Sequence, residues 1–134
     1  MGTTRIVTKK MIADRVAKGE SLARADLRGL DLSGISFDRA DLTAAKLGGC
    51  NLARSTFRGA NLFMASLWQT DCKDAVFDGA NLEEADLDLA NLEGATFREA
   101  VVRKTIFPQG RVDPDEIRRS VRSGSRVKML RTKA

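Results

Sequence analysis

Residues Ala25 to Gln109 read ADLRG, LDLSG, ISFDR, ADLTA, AKLGG, CNLAR, STFRG, ANLFM, ASLWQ, TDCKD, AVFDG, ANLEE, ADLDL, ANLEG, ATFRE, AVVRK, TIFPQ. These are 17 consecutive five-residue units with no insertion, and ESLAR at Glu20–Arg24 fits as an eighteenth. From Ala25 on, the third residue of each unit is Leu, Phe, Cys or Val without exception. The first is mostly Ala, and the second mostly Asp, Asn, Ser or Thr. A period of five matches neither the 3.6-residue helix nor the two-residue strand. It does match a square coil in which each unit forms one side and turns a corner at its end. The third residue then points to the axis, and the small first residue leaves room for it. Successive coils would lie at strand spacing, roughly 4.8 Å apart, with their backbone groups paired vertically.

A second period is nested in the first. Phe37, Phe57, Phe77 and Phe97 occupy the central position at intervals of 20 residues. Four units therefore make one turn, and these four rings form one column, a Phe ladder. The other columns are Leu42, Leu62, Leu82 and Val102; Leu27, Leu47, Leu67, Leu87 and Phe107; and Leu32, Leu52, Cys72 and Leu92. On the Phe side the second position reads Ser36, Thr56, Val76 and Thr96, never Asp or Asn.

With these units the sequence resembles the pentapeptide-repeat proteins, whose motif is A-(D/N)-L-x-x. The match covers about 85 of the 134 residues. The resemblance implies an all-β solenoid, a right-handed quadrilateral β-helix with little or no interior space. Here it would run to about four coils, with short capping helices at the N- and C-termini. It says little about function, because most members have no known one.

The ends differ from the coil. Residues 1–19 are expected to form an N-terminal capping helix, because a solenoid end exposes apolar core and unpaired backbone. Thr8 can cap this helix, Met11, Ile12 and Val16 share a face, and Gly19 can stop it. Leu30 and Ile35 replace the usual Ala in the first coil and would fill space beside that cap. Residues 20–109 form the repeat domain. Residues 110–134 read as a C-terminal helix and a basic tail, with Asp113 as N-cap, Pro114 as first helical residue and Glu116 as capping-box acid. Val101 and Ile106 stand where the repeat normally places an outward polar residue, so the C-terminal helix or a second subunit is expected to cover them. Val101, Val102, Ile106 and Phe107 are thus candidates for a homodimer contact.

Composition limits the chemistry. Apolar residues make up 43% and charged residues 31%, which is ordinary soluble composition. There is no His, which excludes Ser-His-Asp and Cys-His catalysis and imidazole metal ligation. Cys50 and Cys72 fall at inward positions in different columns and read as buried free thiols. With no apolar leader at the N-terminus, the expectation is a reduced, cytoplasmic, bacterial protein that does not span a membrane. Most Asp residues occupy the second repeat position, where they bond to backbone. No cleft is expected in a filled coil, and neither an enzyme, a metal site nor a cofactor is expected.

The net charge of +5 hides an uneven distribution. Residues 1–19 carry net +4, residues 20–109 net −4 and residues 110–134 net +5. Within the coil, residues 70–99 carry net −7. The basic tail has no aromatic interleaving and no recognised nucleic-acid-binding fold, which argues against direct nucleic-acid binding. On the Phe side Asp38, Arg58, Asp78 and Arg98 alternate in sign and would form a vertical ion-pair ladder.

One surface stands out. Phe63 and Trp68 occupy outward fourth positions and Met64 the corner between them, so they would form an exposed apolar edge, with Leu89 at a corner one edge over. Glu83, Glu84, Asp86 and Asp88 follow about one coil further on as an acidic patch. The competing reading is that a terminal segment such as Val127–Leu130 covers the apolar residues. Large exposed apolar patches tend to mark interaction sites. The expectation is a non-enzymatic scaffold or adaptor that presents this edge and acidic face to a protein partner. The family resemblance adds a role in a bacterial secretion system as one setting. The alternative, also implied by the resemblance, is a DNA mimic that binds DNA gyrase or topoisomerase, as quinolone-resistance members do. Three departures weigh against it: the positive net charge, the absence of loop insertions, and a coil only about 20 Å long at sheet spacing.

Overall fold

The computed structural model describes residues 7–131. Thirteen isolated parallel bridges join second-position residues 20 apart, from Asp26↔Lys46 to Asp86↔Ile106. The register is therefore one coil per four units. Each rung is tied to the next by three recurring backbone bonds. The third-position N–H donates to the second-position carbonyl of the next coil, as Phe57 does to Val76 at 2.7 Å. The fifth-position N–H donates to the fourth-position carbonyl, as Met64 does to Glu83 at 3.0 Å. The second-position N–H reaches back to the first-position carbonyl of the preceding coil, as Asn81 does to Ala60 at 2.9 Å.

The corners explain the rest of the repeat. In every unit from Ala25 to Gln109 except the one at Ile35, the first residue donates its N–H to the third-position carbonyl before it, as Ala40 does to Phe37 at 3.0 Å. Every fifth residue from Arg24 to Lys104 has positive φ. A turn with φ > 0 only at its third residue is type II, which favours Gly there. Six of these corners carry Gly, and the others hold L side chains in the left-handed region at a cost of roughly 1–2 kcal/mol each. The second-position Asp or Asn compensates locally. Its side chain accepts the N–H two residues on, as in Asn51–Ala53 at 3.0 Å and Asn61–Phe63 at 3.0 Å.

The axis is filled. Phe37, Phe57, Phe77 and Phe97 stack with centroid spacings of 5.0, 4.9 and 5.1 Å, and Phe107 meets Phe97 edge-on at 5.7 Å. Leu22 is buried and its N–H bonds to Asp41, so the unit at Glu20–Arg24 belongs to the coil. Polar first-position residues stay satisfied inside: Cys50 Sγ donates to the Leu27 carbonyl and Ser55 Oγ to the Leu32 carbonyl. In the Leu32 column, Cys72 is smaller than Leu, and Thr70 fills the place that Ala takes at Ala90. Both thiols are free, and burial pushes the Cys72 thiol up to about 12.

Helix α1, Lys9–Ala17, is capped by the Thr8 hydroxyl, which accepts from Met11 N at 3.1 Å. It puts Ile12 into the core and Val16 against it, whereas Met11 is exposed, contrary to the shared face expected from sequence. One turn of helix cannot bring positions 11 and 12 to the same narrow contact. Helix α2, Pro114–Ser123, starts at Asp113, which accepts from Asp115 N, and ends at Gly124 with φ of 77°. Ile117 and Ser120 face the last coil, where Ser120 Oγ accepts from Phe97 N at 2.9 Å. The tail beyond α2, which the sequence left unassigned, returns along that coil. Val127 accepts from Gly94 N and donates to the Ala95 carbonyl, both at 2.8 Å, and Met129 pairs antiparallel with Val112.

Candidate protein-binding surface

The repeat geometry places the predicted surface residues on two adjacent faces. Met64 is 55% exposed at the corner between them, with φ of 58°. Trp68 follows at an outward fourth position and is 44% exposed. It stands in a column directly above Gly48, whose missing side chain leaves a notch bordered by Arg28, Ser66 and Asp86. Leu89 is 53% exposed at the next edge, also at positive φ. Phe63 departs from expectation. It is only partly exposed, in a column between Thr43 and Glu83, whereas Trp68 stands over the side-chain-free Gly48. The tail does not cover Met64 or Trp68, since Val127 pairs with Ala95 and Met129 with Val112, but Met129 does come beside Leu89, with which it lines one shallow cavity.

The four predicted carboxylates are grouped as expected, but three of them are engaged by the chain itself. Glu83 pairs with Arg103 at 3.2 Å. Asp86 accepts from Asp88 N at 2.9 Å, and Asp88 accepts from Leu89 N at 3.0 Å. Glu84 is the exposed member at the corner above Met64. The Phe-side ladder is half an ion-pair ladder. Arg58 lies 3.7 Å from Asp38, whereas Asp78 accepts the Arg98 backbone N–H at 3.1 Å and the Thr96 hydroxyl at 2.7 Å. Lower on the Trp68 face, Arg28 clasps Asp26 through two bonds of 2.8 and 2.7 Å, and its guanidinium holds that carboxyl down to about 2. The Trp68 face is therefore charge-paired below the ring and acidic above it.

The four candidates for self-contact meet at one rim. Val101 and Ile106 are 44% and 47% exposed, and Val102 and Phe107 are partly exposed. Of the two covers expected for Val101 and Ile106, helix α2 is not the one, because it sits over the Phe side, where its Val121 carbonyl accepts Glu99 N. A groove of about 680 Å³ opens instead between this rim and α2, lined by Val102, Phe107, Pro108, Val112, Ile117 and Leu130. Sequence reasoning missed it because a filled axis implies no cleft, whereas this cleft lies at the unfinished end. Among the described residues there is no group of three or more His, Cys, Asp and Glu able to hold a metal ion. No helix among them is long and apolar enough to cross a membrane.

Coils of five-residue sides, joined by parallel bridges around a Phe and Leu axis, define a pentapeptide-repeat solenoid. A family profile of pentapeptide repeats matches in eight copies, over residues 21–59, 35–71, 56–94 and 70–107. The chain belongs to the pentapeptide repeat family. Among solved structures, a pentapeptide repeat protein from Nostoc PCC 7120 is 34% identical. That match covers 81% of this chain and 91% of the other, with a TM-score of 0.71. A pentapeptide repeat protein of the Arabidopsis thaliana thylakoid lumen is 32% identical, with 60% of each chain covered and a TM-score of 0.49. This chain thus spans about 60% of the thylakoid protein's length. QnrB1, a plasmid-mediated fluoroquinolone resistance protein, is 18% identical over 68% of this chain and 52% of its own, with a TM-score of 0.26. No curated protein matches. The family brings the right-handed β-helix solenoid expected from the sequence.

Proposed function

We propose that this protein is a non-enzymatic binding scaffold whose contact surface is the Met64–Trp68 edge, with Phe63 and Leu89 beside it. The observation that carries this reading is Met64. It is a long apolar side chain, more than half exposed, at a corner where the backbone favours Gly. Neither burial nor backbone geometry accounts for it, whereas contact with a partner does. Trp68 supplies the aromatic anchor typical of interface centres. Glu84, with Glu83, Asp86 and Asp88 behind it, favours a partner that is basic beside its own apolar patch. The family resemblance leaves a bacterial secretion system as one setting for such an adaptor.

The test compares the proteins retained from native lysate by wild type and by a Met64→Gly/Trp68→Ser variant. Loss of a specific protein from the variant's set supports the surface, and an identical set overturns it. The gyrase-mimic alternative has less support. The acidic residues share the coil's faces with Arg58, Arg98 and Arg103, and both ends are basic. Inhibition or protection of gyrase supercoiling by this protein would reverse that ranking.

A further inference from the structure

The last rung of the solenoid is closed on one half and open on the other. On the closed half, α2 and the tail take the bonds that a further coil would make, at Gly94, Phe97 and Glu99. On the open half, the N–H groups of Val102, Lys104 and Phe107 donate to nothing among the described residues, although the equivalent groups of Leu82, Glu84 and Leu87 are all paired. The Ala100 and Thr105 carbonyls likewise accept nothing, although those of Ala80 and Ala85 accept from Val101 and Ile106. An open sheet edge of this kind is a template for another strand.

The side chains around these groups change with them. The outward column Asn61, Asn81 ends in Val101, and the column Ser66, Asp86 ends in Ile106. Both turn from polar to β-branched apolar at the rim. The neighbouring column Phe63, Glu83 ends in Arg103, and the corner column Met64, Glu84 ends in Lys104. Lys104 has no ion-pair partner among the described residues. Inside the rim, Val102 and Phe107 open into the groove beside Ile117.

We infer that this rim receives an acidic strand from a partner protein, added in parallel as one further rung that turns the same corner. Its carbonyls accept from Val102, Lys104 and Phe107, and its N–H groups donate to Ala100 and Thr105. Its inward Leu or Phe side chains fill the groove over Val102 and Phe107. Its outward apolar residues lie over Val101 and Ile106, and its carboxylates over Arg103 and Lys104. Among the described residues Lys104 has no ion-pair partner and Arg103 has only Glu83, one rung below. These two cations of the rung itself, which an added strand would meet before the carboxylates beneath, favour an acidic strand over a neutral or basic one. The surface is separate from the Met64–Trp68 edge, and each can fail alone.

The test uses the full chain and a synthetic peptide, Ala-Val-Leu-Glu-Glu-Ala-Val-Leu-Glu-Gly, with a control in which Lys replaces each Glu. Amide exchange is followed by NMR at Val102, Lys104 and Phe107, with Phe57 and Leu67 as fold controls. Without peptide the three rim amides exchange fast. At free peptide about ten times its Kd, their exchange slows about tenfold, and the Lys peptide has no such effect. An Arg103→Glu/Lys104→Glu variant reverses the preference while Phe57 and Leu67 stay protected. Three results overturn the inference: rim amides already protected in dilute protein, protection that rises with protein concentration alone (a second copy on the rim), or equal protection by both peptides.

Discussion

The middle coils and the last coil are made of the same five-residue unit, yet they are held differently. Around Phe57 and Phe77 every inward side chain is buried, and each rung is bonded above and below. At Val102 and Phe107 the same positions are partly exposed and bonded only from below. A solenoid unit gains its stability from its neighbours. The comparison shows that position along the axis, rather than the residue itself, sets what a side chain contributes. It also shows why the chain spends a helix and a strap on half of the last rung.

The largest effect should separate the two regions directly. Phe57→Ala removes a ring stacked on both sides and should cost about 3–5 kcal/mol in urea unfolding. Phe107→Ala, at the rim with one edge-on contact, should cost markedly less. Equal losses would break the comparison.

The buried thiol sharpens it from inside the coil. The Cys72 pKa is raised from an ordinary 9.0 to about 12. The neutral thiol is favoured by the fold, so stability is complete below about pH 9 and falls as pH rises toward 12. The slope is about 1.4 kcal/mol per pH unit for one such group. Cys72→Leu alone should lose about 1–3 kcal/mol by overpacking against Thr70. Thr70→Ala/Cys72→Leu should recover that loss and flatten the alkaline decline, as urea midpoints taken from neutral to alkaline pH would reveal.

Two smaller effects concern the surface. Met64→Gly relieves a left-handed L residue and should leave stability unchanged or raise it by up to about 1 kcal/mol. A clear loss would mean that Met64 is structural and would remove the main support for the contact edge. Arg103→Ala should change stability by about 0–1 kcal/mol, because its pair with Glu83 is exposed on the Arg side.

The coil was legible from residue spacing because a fixed five-residue period leaves each side chain one role. The Phe ladder, the buried thiols and the outward Trp68 all follow from counting. The unit at Leu22 followed in the same way. What counting missed lies where the period stops. Met11 and Phe63 depend on side-chain direction, which spacing does not give. The tail's return to Gly94 and Ala95 spans more than 30 residues with no repeated unit to announce it. The groove at Val102 arises from an absent coil, and no residue pattern marks an absence. Of the candidate surface, exposure at Met64, Trp68 and Leu89 and the backbone bond of the second-position Asp86 could be read in advance, but the internal use of Glu83 and Asp88 could not.

The 20-residue register has a consequence for how such a chain can vary. Inserting or deleting one whole unit keeps every inward residue inward, yet it swings everything beyond it through a quarter turn about the axis. The advance along the axis is only about 1.2 Å, a quarter of the strand spacing. Indels in fives thus act as an angular dial. One unit added between Met64 and Val101 would aim the rim a quarter turn away from the Trp68 face while leaving both locally unchanged.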